Sequence, residues 1–383
     1  MRIEVHNRCS DFDSYRAARV KSLFNAESGC NFDLVADLPI DDSDWKVGLV
    51  VGPSGSGKTS IGRRIFGEGA LYEPVGWPGD KPIIDAIAPG APFDEVPAAL
   101  SAVGLGSVPS WLRPYPVLSN GEKFRADLAR IICEAPARIV VDEFTSVVDR
   151  QIAKVGALAF QKAWRRTRGQ CVLLSCHHDI MEWLEPDWVF DTATGKYAGR
   201  GLWRRPRIEL DLWQTDWRHW HLFEPHHYLK VPRMIGAICY VGAVDGELVC
   251  HLGVGTKNVG RGGVEARACR MLVMPEWQGA GIGMRFLNAV CQLQLDGKGR
   301  IPGRRMTTIF HTSHPGLCAA LRRDPKWVQT SANLYGGNKA KSAATLNRTA
   351  RQRMGSGFGG HFRATQGFRY LGPAHAAKKG MGT

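Results

Sequence analysis

The sequence predicts an α/β chain of two domains, and three local patterns carry that prediction. An apolar run at residues 45–51 leads into a glycine-rich stretch at 52–59, and a second apolar run at 138–141 ends in two acidic residues. Short apolar runs of this kind are typical of buried parallel strands. In the second half, a hairpin pattern at 238–254 precedes another strand, glycine and helix pattern. A chain of 383 residues also has the length of two domains.

The composition is that of a globular protein that can bury two hydrophobic cores. Hydrophobic residues make up 44% of the chain and charged residues 22%. No run of 18 apolar residues appears and the N-terminus lacks the apolar core of a secretion signal. The ten cysteines include no Cys-x-x-Cys pair, which favours reduced thiols. We therefore expect a cytoplasmic protein that does not bind membranes.

The positive charge is concentrated towards the C-terminus. The formal net charge is +14, and residues 321–383 hold twelve Lys and Arg against one acid, Asp324. This stretch therefore carries +11, and the remaining 320 residues carry only +3. Such asymmetry favours a polyanion such as DNA or RNA as partner, although a solubilising surface is the simpler interpretation.

Residues 52–59 have the spacing of a phosphate-binding loop. They read Gly-Pro-Ser-Gly-Ser-Gly-Lys-Thr between a strand pattern and a helix pattern, which is the context that a Walker A motif requires. Lys58 would reach the β- and γ-phosphates of ATP, and Thr59 would hold Mg²⁺. The predicted nucleotide-binding residues are Gly52, Ser54, Gly55, Ser56, Gly57, Lys58 and Thr59.

Two acidic residues follow the strand pattern at 138–141. Asp142 and Glu143 have the Walker B arrangement, in which Asp142 would act on Mg²⁺ and Glu143 would polarise the attacking water. The predicted metal site therefore consists of Thr59 and Asp142, and Glu143 is the predicted catalytic base.

Residues 118–130 identify the subclass. Their sequence begins Leu-Ser-Asn-Gly-Glu and resembles the Leu-Ser-Gly-Gly-Gln signature of ABC ATPases. Asn120 and Glu122 depart from that pattern, whereas Ser119 and Gly121 keep its serine and its close-approach glycine. The resemblance implies that Ser119 and Gly121 close over ATP held by a second copy. We therefore expect an ATP-dependent homodimer.

Two further segments match the same family. Residues 146–149 resemble its D-loop, and residues 169–179 resemble its last strand with the switch histidine. Counting along the strand favours His177 as the catalytic histidine, whereas adjacency to Asp179 favours His178, and the choice stays open. A weaker alternative is a zinc site formed by Cys171, Cys176, His177 and His178.

Two departures from the family argue against transport. No glutamine occupies the lid loop, where Trp77 or Asp80 stands instead, and Lys58 and Ser119 are only 61 positions apart. The helical subdomain must therefore be small. With no membrane span, this points to a soluble ABC enzyme, the group that includes SMC-like and RecF-like proteins.

The second half carries another glycine loop. Strand patterns at 238–244 and 248–254 flank an Asp-Gly turn, and a third strand at 266–274 runs into a loop at 275–283 and a helix at 284–294. This order, with Gln278, Gly281 and Gly283 in place, resembles motif A of the GNAT acyltransferases. The predicted fold is thus an ABC-type P-loop NTPase domain followed by an α+β GNAT domain.

The GNAT resemblance implies acetyl-CoA or another acyl-CoA as cofactor. Backbone N–H groups at a helix N-terminus suit its pyrophosphate, and the amide of Met274 would stabilise the oxyanion of the thioester. The implied cofactor-binding residues are Met274, Gln278, Gly279, Ala280, Gly281, Ile282 and Gly283.

Acyl transfer to an amine also needs a group that takes its proton. Candidate bases are Glu265, His311 and His314, and candidate acids are Tyr370 and Tyr228. Glu265 and Tyr370 head these two sets, but no spacing singles out any of the five residues.

The predicted domain boundaries follow changes in residue composition along the chain. Tryptophans and basic residues alternate at 196–235, either to stack on nucleic-acid bases or to pack between domains. The predicted regions are an ATPase domain at 1–195, a linker at 196–235, a GNAT-like domain at 236–372 with a basic insertion at 333–360, and a basic tail at 373–383.

Together these features predict an ATP-driven acyltransferase. The second half resembles the phage-associated Mom-like GNAT branch, which acylates adenine in DNA, so a nucleic-acid base amine is the expected acceptor. One alternative is an ATP-regulated acetyltransferase for proteins or small molecules. The other is a nucleic-acid-binding ATPase whose GNAT domain is not catalytic.

Overall fold

The computed structural model describes residues 1–8, 14–24, 31–40, 44–73, 76–199, 203–227, 233–234, 236–260, 263–333, 364–373 and 375. Tyr228, the predicted basic insertion apart from Asn333, and the predicted tail apart from residues 373 and 375 lie outside the described residues.

The described residues form both helices and strands. The helices are α1 (Tyr15–Phe24), α2 (Lys58–Phe66), α3 (Ile83–Ala86), α4 (Glu95–Ala102), α5 (Val108–Trp111), α6 (Asn120–Glu134), α7 (Arg150–Trp164), α8 (Met181–Leu184), α9 (Trp220–Phe223), α10 (Ile282–Leu295) and α11 (Pro315–Arg323). The strands are β1 (Arg2–Arg8), β2 (Asn31–Asp37), β3 (Val47–Val51), β4 (Arg138–Val141), β5 (Gln170–Ser175), β6 (Trp188–Asp191), β7 (Lys196–Ala198), β8 (Asp211–Thr215), β9 (Ile238–Val244), β10 (Glu247–Val259), β11 (Gly263–Val273), β12 (Thr308–Thr312), β13 (Trp327–Asn333) and β14 (Thr365–Tyr370). Among the helices of the described ranges, none has the length and apolarity needed to cross a bilayer.

The chain divides into two compact units. The first contains Met1–Gly79 and Leu118–Pro206, and the second contains Asp80–Val117 and Arg207–Thr383. The segment Asp80–Val117, called the insert below, lay within the ATPase domain predicted from sequence, whereas its contacts group it with the second unit. Most of the predicted linker also belongs to the second unit, because β8 pairs with β9.

The first unit is built on a mainly parallel sheet. Its five strands lie in the order β4-β5-β3-β6-β7, with β7 antiparallel to β6. Every residue of β3 is buried, as expected for an uninterrupted apolar strand between parallel neighbours. The hairpin of β1 and β2 contributes to the core of the unit, together with buried residues of α2.

The second unit is built on a seven-stranded sheet. Its strands lie in the order β13-β14-β12-β11-β10-β9-β8. β11 and β12 pair in parallel over three residues each, from Ala266↔Thr308 to Ala268↔Phe310. The predicted hairpin of β9 and β10 is present, and Asp245 and Gly246 in its turn have φ values of 50° and 84°, as a two-residue turn requires.

The aromatic residues of the predicted linker are mostly packed. Trp220 and Phe223 form a buried cluster with Val241 and Leu272 of the sheet. Trp213, by contrast, is 41% exposed. Packing against the sheet therefore accounts for Trp220 and Phe223, whereas Trp213 exposes its ring to solvent.

Candidate functional site

Three neighbouring parallel strands bring the predicted ATPase residues to one edge of the first sheet. The glycine loop follows β3, Asp142 follows β4, and His177 lies two residues beyond β5, which is hydrogen-bonded to both other strands. Residues at the carboxyl ends of parallel strands lie at the same sheet edge, which is where open α/β sheets bind ligands. The loop, the acidic residues and the histidine are therefore placed for one ligand.

The loop after β3 presents a helix N-terminus. Gly55 and Gly57 have φ values of 77° and 82°, and α2 begins directly after Gly57. The ammonium of Lys58 donates to the carbonyl oxygens of Gly52 and Pro53 at 2.9 and 2.8 Å, so this side chain folds back over the loop. The positive end of the helix and the adjacent ammonium group together favour a phosphate.

A threonine that the sequence did not single out holds this loop in place. Thr192 Oγ1 lies 2.5 Å from Ser56 Oγ and donates to the Val51 carbonyl at 3.2 Å. A Cβ atom on Gly52 would lie 2.0 Å from the same hydroxyl oxygen. The sequence contained one signal for Thr192, the apolar run that became β6 and ends directly before it. β6 is the fourth of the parallel strands in this sheet, so its carboxyl end lies at the same edge as the other three. Thr192 is a positioning residue for the loop.

The predicted magnesium ligands are in direct contact. Thr59 Oγ1 donates to Asp142 Oδ2 at 2.7 Å, and the other carboxylate oxygen, Oδ1, accepts from the Glu143 amide at 2.8 Å. A hydroxyl and one carboxylate fit Mg²⁺, which is usually bound by one or two carboxylates together with phosphate and water. Within the described ranges, no cluster of three or more His, Cys, Asp or Glu could hold a metal by itself. The zinc alternative therefore has no support.

Glu143 occupies an unusual backbone conformation. Its φ is 52°, and Thr145 has φ of 72°, so two side-chain-bearing residues after β4 lie in the left-handed region. Such conformations cost free energy and are concentrated at functional sites. The amide of Phe144 donates to the Leu174 carbonyl at 2.8 Å, which ties this turn to β5. Glu143 itself is exposed to solvent.

The two histidines after β5 have different surroundings. His177 is half-buried, and its amide donates to Ser175 Oγ at 3.1 Å. Burial lowers the pKa of His177 and the cation of Arg150 lowers it further, against an opposing effect of Asp179. His178 is exposed, with Nε2 3.9 Å from Asp191 Oδ2. A neutral imidazole at His177 can still donate one hydrogen bond to an anionic oxygen.

The signature residues have structural roles within the chain. Ser119 caps α6 in a capping box with Glu122, and a Cβ atom on Gly121 would lie 2.7 Å from Ile152 Cδ1. Asp149 caps α7 by accepting from the Ile152 amide at 2.9 Å, and Val147 in the same predicted D-loop is 68% exposed. The contribution of Ser119 and Gly121 to a partner's ATP site stays a prediction.

Trp77, at the predicted lid-loop position, contacts two residues of α6. Trp77 Nε1 donates to Asp127 Oδ1 at 2.9 Å, and the Arg130 guanidinium lies 5.0 Å from the Trp77 ring centroid. Asp80, the other residue predicted near this place, is exposed at the first position of the insert.

The second glycine loop repeats the arrangement of the first. β11 ends at Val273, and α10 begins directly after Gly281, which has φ of 85°. Inside the loop, the Gln278 amide donates to the Pro275 carbonyl at 3.2 Å and the Ala280 amide to the Trp277 carbonyl at 3.3 Å. Gln278 Nε2 also donates to the Val273 carbonyl at 2.9 Å. The first turn of α10 is thus presented as an anion-binding terminus.

Three of the predicted acyl-transfer residues do not meet at this loop. The Met274 amide, predicted to stabilise an oxyanion, donates to the Val249 carbonyl at 2.8 Å, so it is already used within the sheet. Glu265 lies nine positions before Met274 along β11, a separation of about 30 Å in an extended strand. Tyr370 pairs with Thr308, which pairs with Ala266, and therefore lies at the same distant end.

Glu265 and Tyr370 have structural partners there. Arg369 Nε lies 2.9 Å from Glu265 Oε1. The Tyr370 hydroxyl donates to Gln292 Oε1 at 2.9 Å, and burial raises the pKa of this phenol to about 12. Two other candidates, His311 at the carboxyl end of β12 and His314 just beyond it, lie towards the glycine-loop end of the sheet.

Comparison with known proteins finds similarity to ATP-binding proteins. No family model matches the chain. The chain is 27% identical to the zinc import ATP-binding protein ZnuC of Pseudomonas aeruginosa strain UCBPP-PA14 over 188 residues, covering 43% of this chain and 65% of ZnuC. It is 33% identical to the cytochrome c biogenesis ATP-binding export protein CcmA of Rhodospirillum rubrum over 164 residues, covering 34% of this chain and 68% of CcmA. The chain therefore spans less than two thirds of the first relative.

One solved structure, of an ATP-binding cassette, aligns with about half of this chain. The ATP-binding cassette MJ0796 bound to ADP and Pi, a dimeric structure of a post-hydrolysis state, aligns with 13% identity and a TM-score of 0.36. That alignment covers 53% of this chain and 100% of the cassette.

Proposed function

The chain belongs to the family of ATP-binding cassette ATPases, and from this premise we propose that its first unit binds and hydrolyses MgATP. The contact between Thr59 Oγ1 and Asp142 Oδ2 at 2.7 Å carries this half of the proposal. It joins the phosphate loop to the acidic end of β4, so both can serve one metal–phosphate group. Thr59 and Asp142 would hold Mg²⁺, which would supply positive charge to offset the negative charge that develops on the phosphate.

The chain's own groups then have distinct tasks. Lys58 exchanges its contacts with the Gly52 and Pro53 carbonyls for phosphate oxygens. Glu143, exposed beside Asp142, orients the attacking water and takes its proton. His177 donates to the terminal phosphate, and we favour it over His178 because it is half-buried directly beyond β5.

The ATPase works as a homodimer in this proposal. Ser119 and Gly121 of one protomer close over ATP on its partner, as the signature resemblance implies. The exposed Val147 supports this, since an apolar side chain that is 68% exposed beside the ATP site is suited to burial in a contact.

The second unit acts as an acyl-CoA-dependent N-acyltransferase in this proposal. The predicted order of hairpin, strand, glycine loop and helix matches β9, β10, β11, the loop before α10 and α10 itself. Because β11 and β12 pair in parallel over only three residues each, a crevice beyond their carboxyl ends supports ligand binding there. His311, exposed at the end of β12, is the proposed base.

The proposed acceptor is an exocyclic amine of a nucleic-acid base. The charge of +11 on residues 321–383 supports binding to the phosphate backbone, and the affinity should then fall steeply with salt. Such an amine is stacked within a duplex, so ATP-driven closure would help to present it.

The test is mass spectrometry of nucleosides from cells that express the protein. We expect an acylated nucleoside with the wild type and none with Gly281→Asp, because a carboxylate at the first turn of α10 repels pyrophosphate. Gly246→Asp is the matched control, since Gly246 and Gly281 have φ values of 84° and 85° and open space around them. Retention of the product in Gly281→Asp would refute the site.

One observation favours a second candidate, a nucleic-acid-binding ATPase whose second unit is not catalytic. The Met274 amide is used within the sheet, and Glu265 and Tyr370 lie at its far end. Calorimetry with acetyl-CoA separates the two functions, since only the acyltransferase must bind it. An acceptor screen that finds peptides active and nucleic acid inert would select the protein acetyltransferase instead.

A further inference from the structure

The insert touches the second glycine loop through residues 104–106, called the latch below. The Gly106 amide donates to Gln278 Oε1 at 3.0 Å. His314 Nε2 lies 3.2 Å from the Gly106 carbonyl oxygen, while His314 Nδ1 accepts from the Leu317 amide at 3.2 Å. Because Nδ1 accepts, Nε2 carries the proton and donates to Gly106. Both ring nitrogens of His314 are therefore occupied.

The latch lies in close contact with the loop. A Cβ atom on Gly104 would lie 2.2 Å from the Gln278 carbonyl oxygen and 3.3 Å from the Gly279 nitrogen, and Gly104 has φ of 87°. A Cβ atom on Gly106 would lie 2.8 Å from Gln278 Oε1. Side chains are excluded at Gly104 both by its conformation and by the neighbouring backbone. Latch and loop are therefore in direct contact at Gln278 and Gly279.

The insert is anchored on both sides of the latch. On one side α4 packs against α11, where a Cβ atom on Gly316 would lie 2.6 Å from Ser101 Cβ. On the other side the Trp111 ring lies 5.6 Å from the His314 ring, and Trp111 Nε1 donates to the Leu105 carbonyl at 2.7 Å. The latch is therefore a built contact between named partners.

The two residues that the latch contacts follow the two strands of one parallel pair. Gln278 follows β11, and His314 follows β12 and caps α11. These strands form the parallel pair of the second sheet, and the crevice beyond them is where the proposed acyl-CoA site lies. The latch thus contacts the segment after each of these two strands, close in sequence to the first turn of α10.

We infer that the insert is an autoinhibitory lid on the acyl-CoA crevice and that ATP binding releases its latch. In sequence, the insert begins three residues after Trp77 at the lid-loop position and ends two residues before Ser119 of the signature. Both of its ends are thus joined to segments that the ABC resemblance places at the nucleotide, the lid loop and the signature. This inference rests on the proposed function and adds its regulation.

The test opens the latch without nucleotide. Gly104→Ala places a methyl group against the Gln278 backbone, and Gly106→Ala, which has no left-handed backbone, is a milder second variant. Gly90→Ala is the matched control, because Gly90 lies in the same insert with φ of 88° and has open space where Gly104 has the loop. Each variant is first checked for wild-type thermal unfolding.

Two measurements are made with and without a non-hydrolysable ATP analogue. Hydrogen–deuterium exchange follows residues 100–111 and 278–283, and calorimetry follows acetyl-CoA binding. In the wild type, the analogue should raise both exchange and affinity. Gly104→Ala should show the raised values without nucleotide, with about tenfold tighter binding if one wild-type molecule in ten is open. Gly106→Ala should change in the same direction, and Gly90→Ala should behave as the wild type.

The outcomes separate the lid from the proposed function. If the analogue leaves exchange of both segments unchanged, the lid inference is overturned whatever acetyl-CoA does. Weaker acetyl-CoA binding by a folded Gly104→Ala protein would also overturn it, since the latch would then complete the site. If exchange responds but neither protein binds acetyl-CoA, the lid stands as a nucleotide-driven element and the acyltransferase proposal fails.

Discussion

Acidification should destabilise the second unit through one buried histidine. His251 on β10 is fully buried, and its ring lies 5.6, 4.9 and 5.4 Å from the rings of Trp217, Trp220 and Phe223. Burial in this cluster lowers the pKa of His251 to about 4, against an opposing hydrogen bond to the Arg270 carbonyl. The ring is therefore neutral in the folded protein at pH 7.

The magnitude follows from proton linkage. An unfolded histidine has a pKa of about 6.5, so between about pH 6.5 and 4 the unfolded chain binds more protons than the folded one. The stability from this site is fully present above pH 6.5 and is lost as the pH falls towards 4. With these values, the loss between pH 7 and pH 5 is about 2 kcal/mol.

The assay is urea unfolding followed by tryptophan fluorescence at pH 7, 6 and 5. His251→Phe keeps an aromatic ring in the cluster but cannot be protonated, so its stability should fall less than that of the wild type by about 2 kcal/mol over this range. His226→Phe, at an exposed position nearby, is the control and should follow the wild type. Equal losses in the wild type and His251→Phe would show that the reasoning about burial is wrong.

Two further predictions concern the first unit. Glu143→Gln should bind MgATP, fail to hydrolyse it and accumulate as a dimer by light scattering, whereas a strictly monomeric variant would count against the composite ATP site. Asp187→Ala should destabilise the unit by about 3–5 kcal/mol, because the carboxylate, with 4% side-chain exposure, accepts from the amides of Lys46 and Val47 and pairs with Arg165. Asp216→Ala is the control, since it removes a solvent-exposed ion pair and should leave the midpoint of urea unfolding unchanged. Equal losses of stability in the two variants would refute the stabilising role of the buried Asp187 carboxylate.

The sequence predicted the parts of the fold whose signals are local. The strand before the phosphate loop and the hairpin around Gly246 each combine apolar residues with glycines or other residues that favour a turn. β8 and β13 were missed, because edge strands with mixed sequences are defined by their partners. The docking of residues 104–106 on Gln278 joins positions more than 170 residues apart, and no local pattern records such a contact.

The same distinction between local and long-range signals applies to the residues of the candidate site. Lys58, Thr59 and Asp142 could be placed because the phosphate loop and the acidic pair each directly follow a recognisable strand, and parallel strands end at one edge. Glu265 and Tyr370 were chosen by residue type alone. Their distance from the glycine loop depends on the register of β11, β12 and β14. This register cannot be read from the order of residues in the chain.

The second unit is formed from two separate stretches of the chain, so one of them is synthesised long before the other and must wait to fold against it. Ser101 of the insert packs against Gly316, which follows it by 215 positions. At ribosomal rates of about 5–20 residues per second, the insert waits about 10–40 s for its docking surface. During that interval the first unit can close around β3, while buried insert residues such as Val96, Leu100 and Trp111 remain without their final neighbours. Until α11 has left the ribosome, only contacts within the insert itself can cover these apolar side chains.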